Sequence, residues 1–161
     1  MRIVLIGPMG SGKSSIGKIL AKKIDFKFID TDKLIETQEG IKIKEIFNSK
    51  GESYFRDLEV KVLEETLTAQ IAVIATGGGI VEREKNRLLL ENEKNVFFLN
   101  SSVKRQFDRT KDSDKRPLLN KGDSFKTLKE LYKKRLPHYE NVSRYKIEMD
   151  DKTNDEIVEQ I

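Results

Sequence analysis

The sequence predicts a single α/β domain in which helices cover a parallel β-sheet. Short apolar runs, each bounded by polar residues or glycine, alternate with segments of helical periodicity along the whole chain. This alternation is typical of parallel strands that are connected by crossover helices. The chain has 161 residues, which is the length of one domain, and no stretch has the composition of a linker. We therefore expect residues 1–161 to form one domain.

Five apolar runs are the predicted strands, and the helical segments lie between and after them. The strands are expected at residues 2–6, 27–29, 71–75, 95–99 and 145–149. The helices are expected at residues 13–24, 31–39, 43–47, 53–68, 82–91, 102–109, 125–139 and 154–161. On the first helix, Ile16, Ile19 and Leu20 recur at helical spacing, so this side of the helix is expected to pack on the sheet.

The composition argues against several classes of protein. Charged residues make up 36% of the chain, and the net charge of +4 arises from basic residues interspersed with acidic ones. This pattern predicts a solvated surface rather than a nucleic-acid interface. The chain has no cysteine, which excludes disulfides and cysteine-ligated metals and agrees with a reducing cytoplasm. No secretory signal peptide and no membrane-spanning apolar run are visible, so no membrane partner is expected. A cytoplasmic location and a monomeric state are further expectations.

A phosphate-binding loop follows the first predicted strand. Residues 7–14, Gly-Pro-Met-Gly-Ser-Gly-Lys-Ser, match the pattern G-x-x-x-x-G-K-[ST] directly before the first predicted helix. Its glycines let backbone N–H groups surround phosphate oxygens, and the start of the helix adds a positive dipole end. Lys13 is expected to contact the β- and γ-phosphates, and Ser14 to give a hydroxyl oxygen to Mg²⁺. The nucleotide-binding residues predicted here are Gly10, Ser11, Gly12, Lys13, Ser14 and Ser15.

Two carboxylates follow the second predicted strand. Asp30 and Asp32 are two residues apart, so on an extended chain their side chains point the same way. Phosphoryl transfer needs one acid near the metal and another group that accepts or orients the attacking hydroxyl. We assign Asp30 to Mg²⁺ and Asp32 to the hydroxyl. The alternative is that Asp32 or Thr31 only caps the next helix, but ligands of α/β sheets bind at the carboxyl ends of strands, which favours a site.

Glycines and arginines elsewhere in the chain indicate a second, anionic ligand. Gly77, Gly78 and Gly79 follow the third predicted strand, and their bare amides can approach an anionic group closely. The planar guanidinium of arginine binds carboxylate or phosphate with two parallel hydrogen bonds, and three arginines are candidates for this role. They are Arg56, Arg116 and Arg135. The alternative for Arg56 is a helical salt bridge with Glu59, which would equally hold the guanidinium for a ligand.

Taken together, these segments resemble the shikimate kinase family. The matching segments are GPMGSGKSSIGKILA, FIDTDKLIE, GESYFRDLE, ATGGGIV, KRPLL and KKRLPHYENVS, and they cover most of residues 1–143. The resemblance implies a kinase that transfers the γ-phosphoryl group of ATP to the 3-hydroxyl of shikimate, on the pathway to chorismate and the aromatic amino acids. It also implies a three-layer α/β/α P-loop kinase fold, like that of nucleoside monophosphate kinases. A five-stranded parallel sheet and a mobile lid at about residues 110–123 belong to this expectation.

The resemblance also implies roles for individual residues. The catalytic residues would be Lys13, Asp32 and Arg116, and Mg²⁺ would be the cofactor, held by Ser14 and Asp30. Shikimate would be bound by Asp32, Arg56, Gly77, Gly78, Gly79 and Arg135. In the lid, Arg116 would reach the ATP phosphates, and Arg109 at the edge of the lid would pack on adenine. The family often carries a further arginine or asparagine beside adenine, whereas residues 150–154 here contain no arginine.

Three other interpretations are weaker. Residues 120–123 match the guanine-binding pattern N-K-x-D of GTPases, but the D-x-x-G motif that a GTPase also needs is absent. A kinase for another small hydroxy acid, such as gluconate, or for a nucleotide would share the phosphate loop but not the triple glycine and the FRDLE segment. A non-catalytic nucleic-acid binder is suggested only by the positive net charge, without a stripe of basic and aromatic residues.

Overall fold

The computed structural model describes residues 1–111 and 123–161 and contains one five-stranded parallel sheet within them. The order of the strands across the sheet is β2-β3-β1-β4-β5. The strands are β1 (Arg2–Ile6), β2 (Lys27–Asp30), β3 (Ala72–Ala75), β4 (Val96–Asn100) and β5 (Tyr145–Glu148). Every neighbouring pair is parallel, which confirms the predicted fold class.

Helices connect the strands and cover both faces of the sheet. They are α1 (Lys13–Lys23), α2 (Thr31–Glu39), α3 (Ile43–Thr66), α4 (Glu84–Glu91), α5 (Val103–Thr110), α6 (Ser124–Val142) and α7 (Asn154–Gln160). No helix within the described ranges is long and apolar enough to cross a membrane. The predicted lid at about residues 110–123 lies outside the described residues except at its two ends.

The buried core lies on the two faces of the sheet. Successive side chains of a strand point to opposite faces, and β1 shows this clearly. Ile3 and Leu5 pack in a cluster with α1 and α7, whereas Val4 and Ile6 pack in a cluster with α3, α4 and α6. Fully burying one such aliphatic side chain stabilises a fold by about 1.5–3 kcal/mol. The two clusters therefore fix the sheet as a rigid base for the loops that follow its strands.

The helix α3 contains a break between the two helices that the sequence predicts. We expect helices at residues 43–47 and 53–68, and the range Ile43–Thr66 consists of two helical segments that meet at a kink. Gly51 within it has φ 83° and ψ 170°, a conformation that favours glycine and changes the direction of the helix. Ile35 of α2 and Ile46, Phe55 and Val62 of α3 form a third small core, beside the main sheet.

Two helix boundaries differ from the prediction in ways that affect the site. A helix was expected from residue 82, but α4 begins at Glu84, which leaves Glu82 and Arg83 in the preceding turn. The helix α6 continues past its predicted end to Val142, although Pro137 lies inside it. Tyr139, the last residue of the predicted helix, lies inside α6, one turn after Arg135.

Candidate active site

The phosphate-binding loop joins β1 to α1, and its shape depends on glycine. Gly12 precedes α1 with φ 97°, in the left-handed region that side chains disfavour. Gly7 has φ 143°, and a Cβ added there would lie 2.5 Å from the carbonyl oxygen of Leu99. Both positions therefore require glycine on backbone grounds, independently of any ligand.

Lys13 is the first residue of α1, and its side chain turns back over the loop. Its Nζ donates hydrogen bonds to the carbonyl oxygens of Gly7 and Pro8, both at 2.8 Å. The side chain is buried, and its donors lie directly above the backbone of the predicted phosphate site. A phosphate group that enters the loop would exchange these neutral carbonyl acceptors for charged oxygens, which form stronger hydrogen bonds.

Asp30 links the phosphate loop to α2. Its Oδ2 accepts a hydrogen bond from Ser14 Oγ at 2.7 Å, and its Oδ1 accepts one from the backbone N–H of Lys33 at 3.2 Å. The side chain that caps α2 is therefore that of Asp30. The alternative interpretation, in which Asp32 or Thr31 caps this helix, is wrong. A hydroxyl and a carboxylate in contact are hard oxygen ligands of the kind that Mg²⁺ prefers. Ser14 and Asp30 thus fit the predicted metal site.

One cavity of about 330 Å³ brings the phosphate loop and several other predicted residues together. Its lining residues are Met9, Gly10, Gly12, Lys13, Ser14, Ser15, Asp32, Thr76, Gly78 and Arg109. Asp32 and Gly78 follow β2 and β3, so the cavity lies at the carboxyl edge of the sheet, where α/β proteins bind ligands. The geometry therefore allows a group bound at the loop to meet a second ligand beside Asp32.

Arg56 lies next to this cavity and is held by carboxylates of its own helix. It is only 6% exposed, and its Nη1 donates to Glu59 Oε2 at 2.5 Å. Glu52 Oε1 accepts from Nε at 3.2 Å and from Nη2 at 3.0 Å. The guanidinium packs so closely on Gly79 that a Cβ there would overlap it. The third glycine of the turn therefore makes room for Arg56.

Two carboxylates flank the first glycine of the same turn. A Cβ added at Gly77 would lie 2.5 Å from Asp32 Oδ1 and 2.9 Å from Glu59 Oε1. Glu59 is 1% exposed, and this burial, together with the negative charge of Asp32, raises its pKa to about 7 although Arg56 opposes the shift. The site thus combines a buried cation, Arg56, with two nearby acids.

Arg135 of α6 approaches the triple glycine from the other side. It is 3% exposed, and its Nε donates to Glu82 Oε1 at 2.7 Å while its Nη1 donates to the carbonyl oxygen of Gly78 at 3.3 Å. The hydroxyl of Tyr139 donates to the same carbonyl oxygen. The turn after β3 is therefore clamped between Arg56 and Arg135.

A family model described as shikimate kinase matches residues 9–161 of the chain. The chain belongs to the shikimate kinase family. It is therefore an ATP-dependent kinase. A shikimate kinase from Sulfurihydrogenibium sp. (strain YO3AOP1) is 44% identical over 159 residues, which are 99% of this chain and 94% of that protein.

Solved structures agree with the family assignment. A shikimate kinase from Acinetobacter baumannii, determined in complex with shikimate, has a TM-score of 0.96 and 36% identity, over 99% of this chain and 89% of that chain. A deoxyadenosine kinase from M. mycoides has a TM-score of 0.60 at 16% identity, over 99% of this chain and 98% of that chain, a likeness that shows the P-loop kinase fold alone.

The structure brings together most of the residues predicted for a shikimate kinase. The phosphate loop, Asp32 and Gly78 share the cavity, and Arg56 and Arg135 contact the turn at Gly78 and Gly79. Arg109 lies over the loop, since a Cβ at Gly12 would be 2.8 Å from its Nη1. Arg116 lies outside the described residues, as do residues 120–122 of the N-K-x-D match.

Two residues of this shikimate kinase site were missed by the sequence analysis. Tyr139 is one helical turn after Arg135, a spacing that places both on one face of α6 and that could have suggested the pair. Glu82 is three residues after Gly79, and nothing local marks it as the partner of an arginine on α6. Glu59 had been considered only as the salt-bridge partner of Arg56.

Proposed function

We propose that this chain transfers the γ-phosphoryl group of ATP to the 3-hydroxyl of shikimate, giving shikimate 3-phosphate and ADP. One observation carries the proposal: a single cavity joins the phosphate loop to Asp32 and to the turn that Arg56 and Arg135 clamp. This arrangement offers a phosphate cradle beside a pocket for a carboxylated alcohol. The A. baumannii relative, with a TM-score of 0.96, supports the choice of shikimate because its structure holds that molecule.

At the nucleotide end, Lys13 would leave the carbonyl oxygens of Gly7 and Pro8 and bind the β- and γ-phosphates. Ser14 and Asp30 would hold Mg²⁺, which when bound neutralises charge on the phosphates. Arg109 is proposed to pack on adenine. Arg116, in a lid at about residues 110–123, is proposed to reach the phosphates and to help exclude water.

At the acceptor end, the guanidinium groups of Arg56 and Arg135 would bind the carboxylate of shikimate by charge-assisted hydrogen bonds. The turn at residues 77–79 would form the floor of this pocket. Asp32 would orient the reacting hydroxyl and accept its proton as the oxygen attacks the γ-phosphorus. Catalysis then depends mainly on positioning and charge neutralisation, as is usual for phosphoryl transfer.

We further propose that the working form is a cytoplasmic monomer. The need for ATP supports the cytoplasm. The chorismate pathway, which leads to the aromatic amino acids, would use the product.

An ADP-release assay with a panel of acceptors tests the proposed function. The panel contains shikimate, gluconate and nucleoside monophosphates, and ³¹P and ¹H NMR of the product locates the phosphate. We expect shikimate to give the highest kcat/KM and the phosphate to be on the 3-hydroxyl. A higher kcat/KM for gluconate or for a nucleotide would overturn the proposal.

A further inference from the structure

The carboxylate of Glu82 holds the guanidinium of Arg135 in place. Glu82 Oε1 accepts from Arg135 Nε at 2.7 Å, and the two side chains are 16% and 3% exposed. Glu82 lies in the turn between β3 and α4, whereas Arg135 lies on α6. The contact therefore joins two elements that are distant in the sequence, at the edge of the proposed substrate pocket.

The hydrogen bonds of Arg135 leave one of its nitrogens available. Nε donates to Glu82, and Nη1 donates to the carbonyl oxygen of Gly78, which Tyr139 also contacts. Nη2 is buried and has no hydrogen-bond partner among the described residues. A guanidinium is planar, so fixing Nε and Nη1 also fixes the direction of the N–H groups on Nη2. A buried donor without a partner is costly, which indicates that a ligand completes this site.

Glu82 is itself fixed in position and charge. Its Oε2 accepts from Lys134 Nζ at 2.8 Å, so each of its oxygens has a cationic partner. Partial burial alone would raise the pKa of Glu82, but the hydrogen bonds from Lys134 and Arg135 outweigh it and lower the pKa to about 2. The group is thus ionised at neutral pH. Because one anion faces two cations, the cluster keeps a net positive charge that can attract the carboxylate of an acceptor.

We infer that Glu82 is a positioning residue for the acceptor: it orients Arg135 so that Nη2 is presented to the acceptor's carboxylate. This inference rests on the proposed function, since it takes the carboxylate of shikimate as the ligand of Arg135. Lys134 supports Glu82 from the solvent side, with 64% of its side chain exposed. The hydrogen bond from Arg135 Nη1 to the carbonyl oxygen of Gly78 then holds the floor of the pocket in a fixed position relative to Arg135.

The test compares Glu82→Ala and Glu82→Gln with the wild type in equilibrium binding and steady-state kinetics. For Glu82→Ala we expect the Kd and KM for shikimate to rise about tenfold, because a charge-assisted hydrogen bond that orients the arginine is lost. The KM for ATP and the kcat at saturating shikimate should stay within about twofold. Glu82→Gln should be intermediate, since its amide oxygen can still accept from Nε.

A second ligand separates positioning from a purely structural role. In an analogue of shikimate, a hydroxymethyl group replaces the carboxylate, so Arg135 loses its charged partner. We expect the ratio of the Kd for the analogue to the Kd for shikimate to be large in the wild type and several-fold smaller in Glu82→Ala. A structural contact alone would weaken both ligands equally and leave this ratio unchanged, which would overturn the inference.

Two control variants complete the design. Lys134→Ala keeps the bond between Glu82 and Arg135, and should change the Kd for shikimate by no more than about twofold. Glu93 is also a partly buried carboxylate, 14% exposed, that bonds an arginine, Arg2. Glu93→Gln removes its charge and should leave the Kd for shikimate unchanged. If Glu82→Ala does not fold, the Kd for shikimate of Glu82→Gln, compared with that of the wild type, tests the inference.

The outcomes for the two proposals are distinct. If the wild type does not bind shikimate, the proposed function fails. If the wild type binds shikimate and both Glu82 variants bind it equally well, only the role of Glu82 fails. A tighter Kd in Glu82→Ala would also refute positioning, because it would mean that Glu82 competes with the acceptor for Arg135.

Discussion

The phosphate loop and the proposed acceptor pocket meet in one cavity, but they are built from different parts of the chain. The loop is a single run of residues, 7–14, whose shape depends on glycine backbone conformations and on bonds from Lys13 to backbone carbonyls. The acceptor pocket is assembled from α3, the turn after β3 and α6, and its side chains are held by buried ion pairs. Changes in the loop should therefore act locally, whereas a change to one charge of the pocket should disturb its partners.

The largest expected effect breaks an ion pair of the acceptor pocket. Arg56→Ala leaves Glu59, which is 1% exposed, without its cation, so the free energy of unfolding should fall by about 3–5 kcal/mol. Arg83→Ala is the matched control, because its partner Asp57 is exposed and such pairs contribute about 0–1 kcal/mol. Urea unfolding measures both variants. Equal losses in the two would show that the buried pair of the pocket is no more coupled than a surface pair.

The next effect tests whether the loop acts locally. Lys13→Ala should lower kcat by about 10²–10³, since it removes a positive charge proposed to stabilise the transferring phosphoryl group. The Kd for shikimate, measured without nucleotide, should stay within about twofold because Lys13 Nζ donates to the carbonyl oxygens of Gly7 and Pro8 in the loop, and the proposed carboxylate ligands are Arg56 and Arg135. Lys18→Ala, an exposed lysine on the same helix, serves as the control. A large loss of shikimate affinity in Lys13→Ala would contradict the separation between loop and pocket.

A smaller effect tests how tightly the pocket is packed. In Gly79→Ala the new methyl group would overlap the guanidinium of Arg56 and displace it, so we expect the KM for shikimate to rise on the order of tenfold. The KM for ATP should not change. Gly40→Ala is the control, because nothing lies within 4 Å of its added Cβ and it is remote from the pocket. Because φ at Gly40 is 70°, in the left-handed region, an alanine there should cost about 1–2 kcal/mol in stability. An unchanged shikimate KM in Gly79→Ala would mean that Arg56 does not bind the acceptor.

The same difference between loop and pocket decides what the sequence could predict. The loop was predicted from eight consecutive residues because its chemistry is local. Ser14 and Asp30 were each assigned to Mg²⁺ from the sequence, and the structure brings the two side chains into contact. The sheet was predicted because apolar runs and glycine turns are also local signals. Arg56 and Arg135 entered the site mainly through resemblance to a family, since no local pattern shows which arginines converge.

Glu82 shows why the rest of the pocket could not be predicted. The helical pattern extended to residue 82, but the helix starts at Glu84, and a charged residue in such a segment usually indicates a solvated face. Its partner is on α6, and that contact exists only when the turn after β3 packs against α6. Long-range side-chain pairs of this kind depend on the whole fold, whereas the loop depends on its own sequence.

The most gradual expected effect is a pH dependence of stability in the pocket, which arises from Glu59. The pKa of Glu59 is raised to about 7 from 4.5, so the folded state holds a proton that the unfolded state has already released. The stability that this proton gives is complete below pH 4.5 and is lost as the pH rises through 7. The contribution of Glu82 to stability changes with pH in the opposite direction. Its pKa is lowered from 4.5 to about 2, so this contribution is complete above pH 4.5 and is lost as the pH falls through 2.

Between pH 4.5 and 7 Glu59 should therefore lower the free energy of unfolding with rising pH, by at most about 1.4 kcal/mol per pH unit for one proton. Urea unfolding across this range measures the free energy of unfolding of the wild type and of Glu59→Gln. The difference between the two should shrink steadily as the pH rises, because glutamine does not titrate. Glu82→Gln is the control, because the pKa of Glu82 is about 2 and its difference from the wild type should not shrink as the pH rises through this range. If the Glu59→Gln difference stayed constant from pH 4.5 to 7, the carboxyl group would be ionised throughout, and Arg56 would dominate over burial. Arg56 and Glu59 would then form a fully charged ion pair throughout this pH range, and the pocket would differ from the phosphate loop, where Lys13 bonds neutral carbonyl oxygens.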